Sequence, residues 1–189
     1  FISSAQLPGC LVNHIQINTN GIIDLSETEL AIVGITDQRL DGLNHGTSLA
    51  PGRIRSRLYN LMKPANFGKI SDLGNIETGE SVTDTLFALQ TVLHELKERN
   101  ITVLILGGTE ELALQQYQCL REFQNNIQLS FIGSRINLRQ GRWLHDVVLD
   151  EPNRLFNMAA LGFQRVESLE KIDAWSPDAL CLTHFGRQA

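Results

Sequence analysis

Three short apolar runs constrain this chain more than any other feature: LAIVGI (30–35), ITVLIL (101–106) and IQLSFI (127–132). Each is rich in β-branched residues and too short for a buried helix, so each reads as a strand covered on both faces. Between them lie segments of helical period. Ser81 and Asp84 form an S-x-x-D capping pattern. Val82, Leu86, Leu89, Leu93 and Leu96 then recur on one helical stripe as far as about residue 98. Gly107 and Gly108 turn the second run into a further helix, expected over 110–124. Strands alternating with helices of this length predict βαβ units and an α/β fold. The expected sheet is doubly wound and mainly parallel, with helices on both faces in three layers.

The remaining segments are assigned by weaker signals. Leu11 to Ile17 reads as a short strand and Asn18 to Gly21 as a turn. Pro51 opens a helix up to Met62, with Ser48 or Ala50 as its N-cap. KISDL (69–73) is a strand. His145 to Leu149 reads as a strand, Asn153 to Leu161 as a helix ended by Gly162, and Ala179 to Thr183 as a last strand. With no repeat or linker, residues 29–189 are expected to form one α/β domain, preceded by an arm or extra strand at 1–28.

Composition narrows the function classes. The net charge of −5 argues against non-specific nucleic-acid binding, which needs a basic face. No apolar run approaches the ~20 residues that span a bilayer, so no membrane role is expected. The three cysteines, Cys10, Cys119 and Cys181, are widely spaced and form no CxxC pair. Together with the lack of a signal-peptide pattern, they lead us to expect a reducing cytoplasm. Cys119 is expected in the core. Phe1 rather than Met opens the chain, and a longer gene product is expected.

Ligands of open parallel sheets sit beyond the carboxyl ends of the strands. The loops to inspect are therefore 36–49, 74–80, 107–110 and 133–143. ILGGTEEL (105–112) has the strand–glycine–helix shape of a phosphate cradle but lacks a full phosphate-binding signature. Glu110 and Glu111, placed in the first helical turn, would complement the helix dipole and repel phosphate. His145 and Asp146, adjacent in a strand, would point to opposite faces and form no chelating pair.

Taken together, these segments resemble the ureohydrolases: the arginase, agmatinase and formimidoylglutamase family. IVGITDQRLDGLNHGTSLAPGRIRSRL (32–58) is similar to the family's first strand, loop and helix entry, with Gly46, Pro51, Ile54 and Arg55 in a G-x-x-x-x-P-x-x-I-R pattern. DLGNI (72–76) resembles its DLGD-type strand end. ILGGTEELAL (105–114) and LSFIGSRINLR (129–139) follow the order and spacing of its two metal-site strands. EPNRLFNMAALGFQRV (151–166) is similar to a bacterial formimidoylglutamase-like branch. The likeness covers residues 30–166. It implies an arginase-like fold that continues with further βα units, so the sheet is expected to be incomplete at its C-terminal side.

The resemblance also implies two manganese ions, and here the chain departs from it. The histidine ligand of the family's GGDH or GGGH motif is replaced by Glu110. The D-x-H-x-D motif has become Gly133-Ser134-Arg135-Ile136-Asn137, and the later D-x-D has no counterpart before Ala189. A permanently protonated guanidinium at 135 cannot ligate a metal. Neither catalytic residues, nor metal ligands, nor a cofactor are therefore expected. The function expected is that of a non-catalytic binding or structural subunit. The alternative is a manganese-dependent hydrolase of a linear guanidino or formimino compound.

Glu110, Glu111, Arg135, Asn137, Asn44 and His45 are the candidate residues of a vestigial pocket, which leaves room for a small-molecule ligand. Arg135 is expected to pair with Glu110 or Glu111. As the family commonly forms homo-oligomers, self-association or a protein partner is expected.

Overall fold

The computed structural model describes residues 8–19, 21, 23–39, 47–66, 68–133, 136–162 and 180–183. They fall into two compact units, Phe1–Glu110 and Glu111–Ala189. The first holds β1 (Ile15–Ile17), β2 (Thr28–Ile35), α1 (Ala50–Leu58), β3 (Lys69–Ile76), α2 (Val82–Glu98) and β4 (Thr102–Gly107). The second holds α3 (Leu112–Phe123), β5 (Ile127–Ile132), α4 (Trp143–Val148), β6 (Leu155–Leu161) and β7 (Leu180–Thr183).

In the first unit the strands lie in the order β1-β3-β2-β4, and every ladder is parallel. β2 is central, and Ala31, Ile32, Val33 and Ile35 are buried. Side chains alternate across a strand, so β2 feeds two cores. Ile32 joins Leu11, Ile70 and Leu106, with Leu58 of α1 packed against them. Ala31 and Val33 join Leu96 and Ile101, with Val92 of α2 alongside. Helices thus cover both faces of this sheet.

The α2 capping box forms as its sequence predicts. The Ser81 hydroxyl accepts from the Asp84 amide at 3.2 Å, and the Asp84 carboxylate accepts from the Ser81 amide at 2.8 Å. Leu89, Leu93 and Leu96 are the buried part of its stripe, each contributing about 1.5–3 kcal/mol by burial.

Several boundaries differ from expectation. Leu11–Asn13 is a 3-10 turn, and only Ile15–Ile17 is strand. α1 stops at Leu58, and Met62 then bridges Cys10 in antiparallel sense. Neither Ser48 nor Ala50 caps α1. A 3-10 turn at Thr47–Leu49 leads straight into it, and Leu49 occupies the N-cap without a side-chain bond. β3 runs to Ile76 rather than ending at Leu73.

Gly107 closes β4 with φ +80°, and a Cβ there would lie 2.8 Å from the Pro51 ring and 2.9 Å from the Ile35 carbonyl oxygen. Gly107→Ala is expected to cost about 1–3 kcal/mol through left-handed strain and this contact. A chemical-denaturation midpoint equal to wild type would refute that.

The second unit is a parallel sheet of order β5-β6-β7. Its core gathers Tyr117, Ile127, Ile136, Trp143, Leu144, Val147, Met158 and Ala160. Phe131 and Trp143 meet edge to face, with ring centroids 5.9 Å apart. Two expectations fail here. Residues 145–149 are not a strand: α4 spans them as far as Val148 because Trp143, Leu144 and Val147 fall on one helical face and bury together. Residues 153–161 are not a helix: β6 buries Met158 and Ala160 at a spacing of two and is laddered on both sides. The helix preference of Leu, Met and Ala yields there to tertiary pairing. Cys119 is in the core as expected, 3% exposed.

Candidate functional site

Two buried aspartates, Asp37 just past β2 and Asp72 midway along β3, are each built into a bonded cluster. α1 presents Pro51, Arg55 and Leu58 at helical spacing toward the sheet. Arg55 therefore meets β3 from an otherwise apolar face and needs an anion there. Asp72 supplies it. The Arg55 Nε donates to Oδ2 at 2.7 Å, and an NH2 group donates to Oδ1 at 2.9 Å. The Tyr59 hydroxyl donates to Oδ2 at 2.6 Å, and the Gly74 amide to Oδ1 at 2.9 Å. The remaining Arg55 donors reach Asn75 Oδ1 at 2.5 Å and the Gly74 carbonyl at 2.7 Å.

The Asp72 side chain is 1% exposed and that of Arg55 13%, so this bidentate pair is charge-assisted and nearly dry. Burial and the neighbouring Asp72 carboxylate push the Tyr59 hydroxyl well above its ordinary pKa, and it remains a donor. Gly34 makes room for the cluster: a Cβ on it would fall 2.0 Å from Asn75 Oδ1.

Asp37, just past β2, is equally buried. Arg39 clamps it with Nε at 2.9 Å and NH2 at 2.7 Å, and the Thr85 hydroxyl donates at 2.7 Å. The Arg39 hydrogen bonds hold the Asp37 carboxyl well below the usual carboxylate range, against the opposing effect of burial. The same guanidinium donates to the carbonyls of Gly79 at 2.9 Å and Glu80 at 3.0 Å. One side chain thereby ties the loop after β2 to the loop after β3.

The sequence-predicted pocket residues are arranged differently from expectation. α3 begins at Leu112, so Glu110 and Glu111 precede its first turn. Glu110 is exposed. Glu111 is committed: Oε1 accepts from Arg142 at 2.9 Å and Oε2 from the Trp143 backbone amide at 2.9 Å, holding the start of α4. Asn137 turns its Oδ1 back onto the Arg139 amide at 3.2 Å. Asn44, His45 and Arg135 lie outside the described residues. His145 and Asp146 do not diverge as strand neighbours would. On α4 they meet, Nδ1 to Oδ1, at 3.0 Å.

The Thr109 hydroxyl is buried with no hydrogen-bond partner among the described residues. No group of three or more His, Cys, Asp or Glu side chains among the described residues is placed to hold a metal ion.

Arg39, Thr85, Tyr59 and Arg142 escaped the sequence reading. Arg55 and Asp72 appeared in it only as parts of motifs. The available signal was Arg55 itself, a cation on the Pro51–Leu58 face of an amphipathic helix.

Compared by sequence, the chain matches no family model and no curated protein. Compared by structure, it superposes on the formimidoylglutamase of Bacillus subtilis with a TM-score of 0.74 at 15% identity, covering 96% of this chain and 62% of that one. The fold is arginase-like. An arginase superfamily protein from Trypanosoma cruzi matches at 0.70 and 15% identity, covering 85% and 59%. A Trypanosoma cruzi formiminoglutamase solved with Mn2+ matches at 0.69 and 15%, covering 85% and 58%. The chain thus spans about three-fifths of the length of these arginase-like proteins. Identity this low establishes the architecture alone. No helix among the described residues is long and apolar enough to cross a membrane.

Proposed function

We propose that this arginase-like chain has lost the dinuclear manganese site and serves as a non-catalytic binding or structural subunit. The observation that carries the proposal is the residue set where the resemblance places metal ligands. Two divalent cations held close together need several carboxylates and a bridging hydroxide. Gly133 offers no side chain and Arg135 is a cation. Asn137 is neutral and bonded within its own loop. Glu111 is occupied at both oxygens by Arg142 and Trp143. The buried Thr109 hydroxyl is neutral. Glu110 alone remains as an exposed carboxylate, so these residues do not fit a manganese pair.

The proposal includes binding of a small molecule by this subunit. The setting is cytoplasmic.

The test is elemental analysis of the full chain, purified without chelator, loaded with excess manganese and desalted. The expected content is far below one manganese per chain, with no hydrolysis of linear guanidino or formimino compounds. Two manganese ions per chain, with chelator-sensitive hydrolysis of such a compound, would instead establish a ureohydrolase.

A further inference from the structure

We propose that copies of this chain associate head to tail, the outer face of α1 on one copy seating on the outer face of α2 of the next. The two faces are complementary in charge and both carry exposed apolar side chains. On α1, Arg53, Ile54 and Arg57 point to solvent. Neither arginine has an ion pair among the described residues. Leu49, Leu61 and Met62 flank them at 63%, 59% and 62% exposure, and Ile54 itself is 41% exposed. α1 contains no acidic residue.

On α2, the exposed stripe is Asp84, Phe87, Thr91, Glu95 and Glu98. Steps of three and four residues keep these side chains on one side of the helix. Phe87, the second residue of the stripe, is 75% exposed. The stripe holds three carboxylates, with the exposed C-cap Arg99 as the cation beside Glu95. Of these, Asp84 is engaged by Ser81, and Glu95 meets Arg99 at 3.1 Å. Glu98 has no partner among the described residues.

α1 and α2 cover opposite faces of the β1-β3-β2-β4 sheet, as their separate cores show. A contact between them is therefore heterologous. It leaves one unused face at each end of any pair, so it adds further copies, as strings or closed rings, instead of stopping at a two-fold dimer. In a chain of net charge −5, the Arg53–Arg57 face is the local exception that lets like-charged copies approach. Because both faces are exposed, added salt screens the attraction.

Sedimentation velocity on the full chain tests this. The wild type is expected to sediment faster as concentration rises at low salt, and to revert toward monomer at high salt. Arg53→Glu with Arg57→Glu makes both faces acidic, and Glu95→Lys with Glu98→Lys makes both basic. Each double variant alone is expected to remain monomeric with an unchanged circular-dichroism spectrum, because all four positions are exposed. Mixed in equal amounts, the two variants pair acidic α1 with basic α2 and basic α1 with acidic α2, so association returns. A wild type that stays monomeric at every concentration overturns the proposal. So does a double variant that associates as strongly as wild type, or a mixture that does not associate.

Discussion

Asp72→Ala is expected to lower the unfolding free energy by about 3–5 kcal/mol, the range seen when one partner of a buried ion pair is removed. The substitution strips Arg55 of both charge-assisted bonds and leaves a 13%-exposed guanidinium without a counter-ion, held only by Asn75 and the Gly74 carbonyl. It also orphans the Tyr59 hydroxyl and the Gly74 amide. Asp72→Asn preserves the shape but removes the charge, so it is expected to fall between the two. Replacing the pair together, Asp72→Leu with Arg55→Met, is expected to recover most of the loss, since an apolar pair of similar volume is often no worse than a buried ion pair. Denaturant unfolding of the four proteins measures this. A single Asp72→Ala variant within about 1 kcal/mol of wild type, or a double variant worse than the single, would refute the account.

The second large effect concerns acid. The Asp37 carboxyl is held below its ordinary pKa in the folded chain, first by Arg39 and then by Thr85. The folded state therefore binds fewer protons than the unfolded state just below the usual carboxylate range. The stabilisation is complete above a pH of about 4 and is lost as the pH falls further. Wild type is expected to lose stability more steeply than Asp37→Asn on this acid limb. Near neutral pH the variant is expected to be weaker by about 1–3 kcal/mol, the usual range for hydrogen bonds to a charged group. Arg39 is 43% exposed, and solvent screening places the effect below that of Asp72. Parallel acid limbs for the two proteins would exclude Asp37 as the titrating group.

What the sequence disclosed follows the strength of each local signal. LAIVGI, ITVLIL and IQLSFI announce β2, β4 and β5 as strands by their compact β-branched runs, but only β2 is covered on both faces: Leu104 of β4 is 37% exposed and Ile132 of β5 84%, contrary to expectation. Ser81 and Asp84 announce the start of α2 because the capping pattern is spelled out within four residues. The stretch from 143 to 161 misleads because its signals oppose its structure. Val147 and Val148 sit in a helix, while Leu155, Met158 and Ala160 sit in a strand. Only the ladders to β5 and β7 decide the strand, and those partners are remote in sequence. The site is less legible still. Arg142 reaches Glu111, and Arg39 reaches Gly79 and Glu80, across separations that no local pattern encodes. Substitutions at motif positions are visible in the sequence, but the new work given to Glu111 as an anchor for α4 is not.

The central position of β2 has a consequence for how the chain is made. Its two hydrogen-bonded neighbours are Lys69–Ile76 and Thr102–Gly107, both synthesised after it. At ~5–20 residues per second, a nascent chain carries Ile32, Val33 and Ile35 unpaired for on the order of several seconds. The strand best shielded in the finished molecule thus gains its second neighbour only when β4 has been made. Residues 30–35 are where a holding chaperone is expected to engage, and where slowed elongation would most increase aggregation.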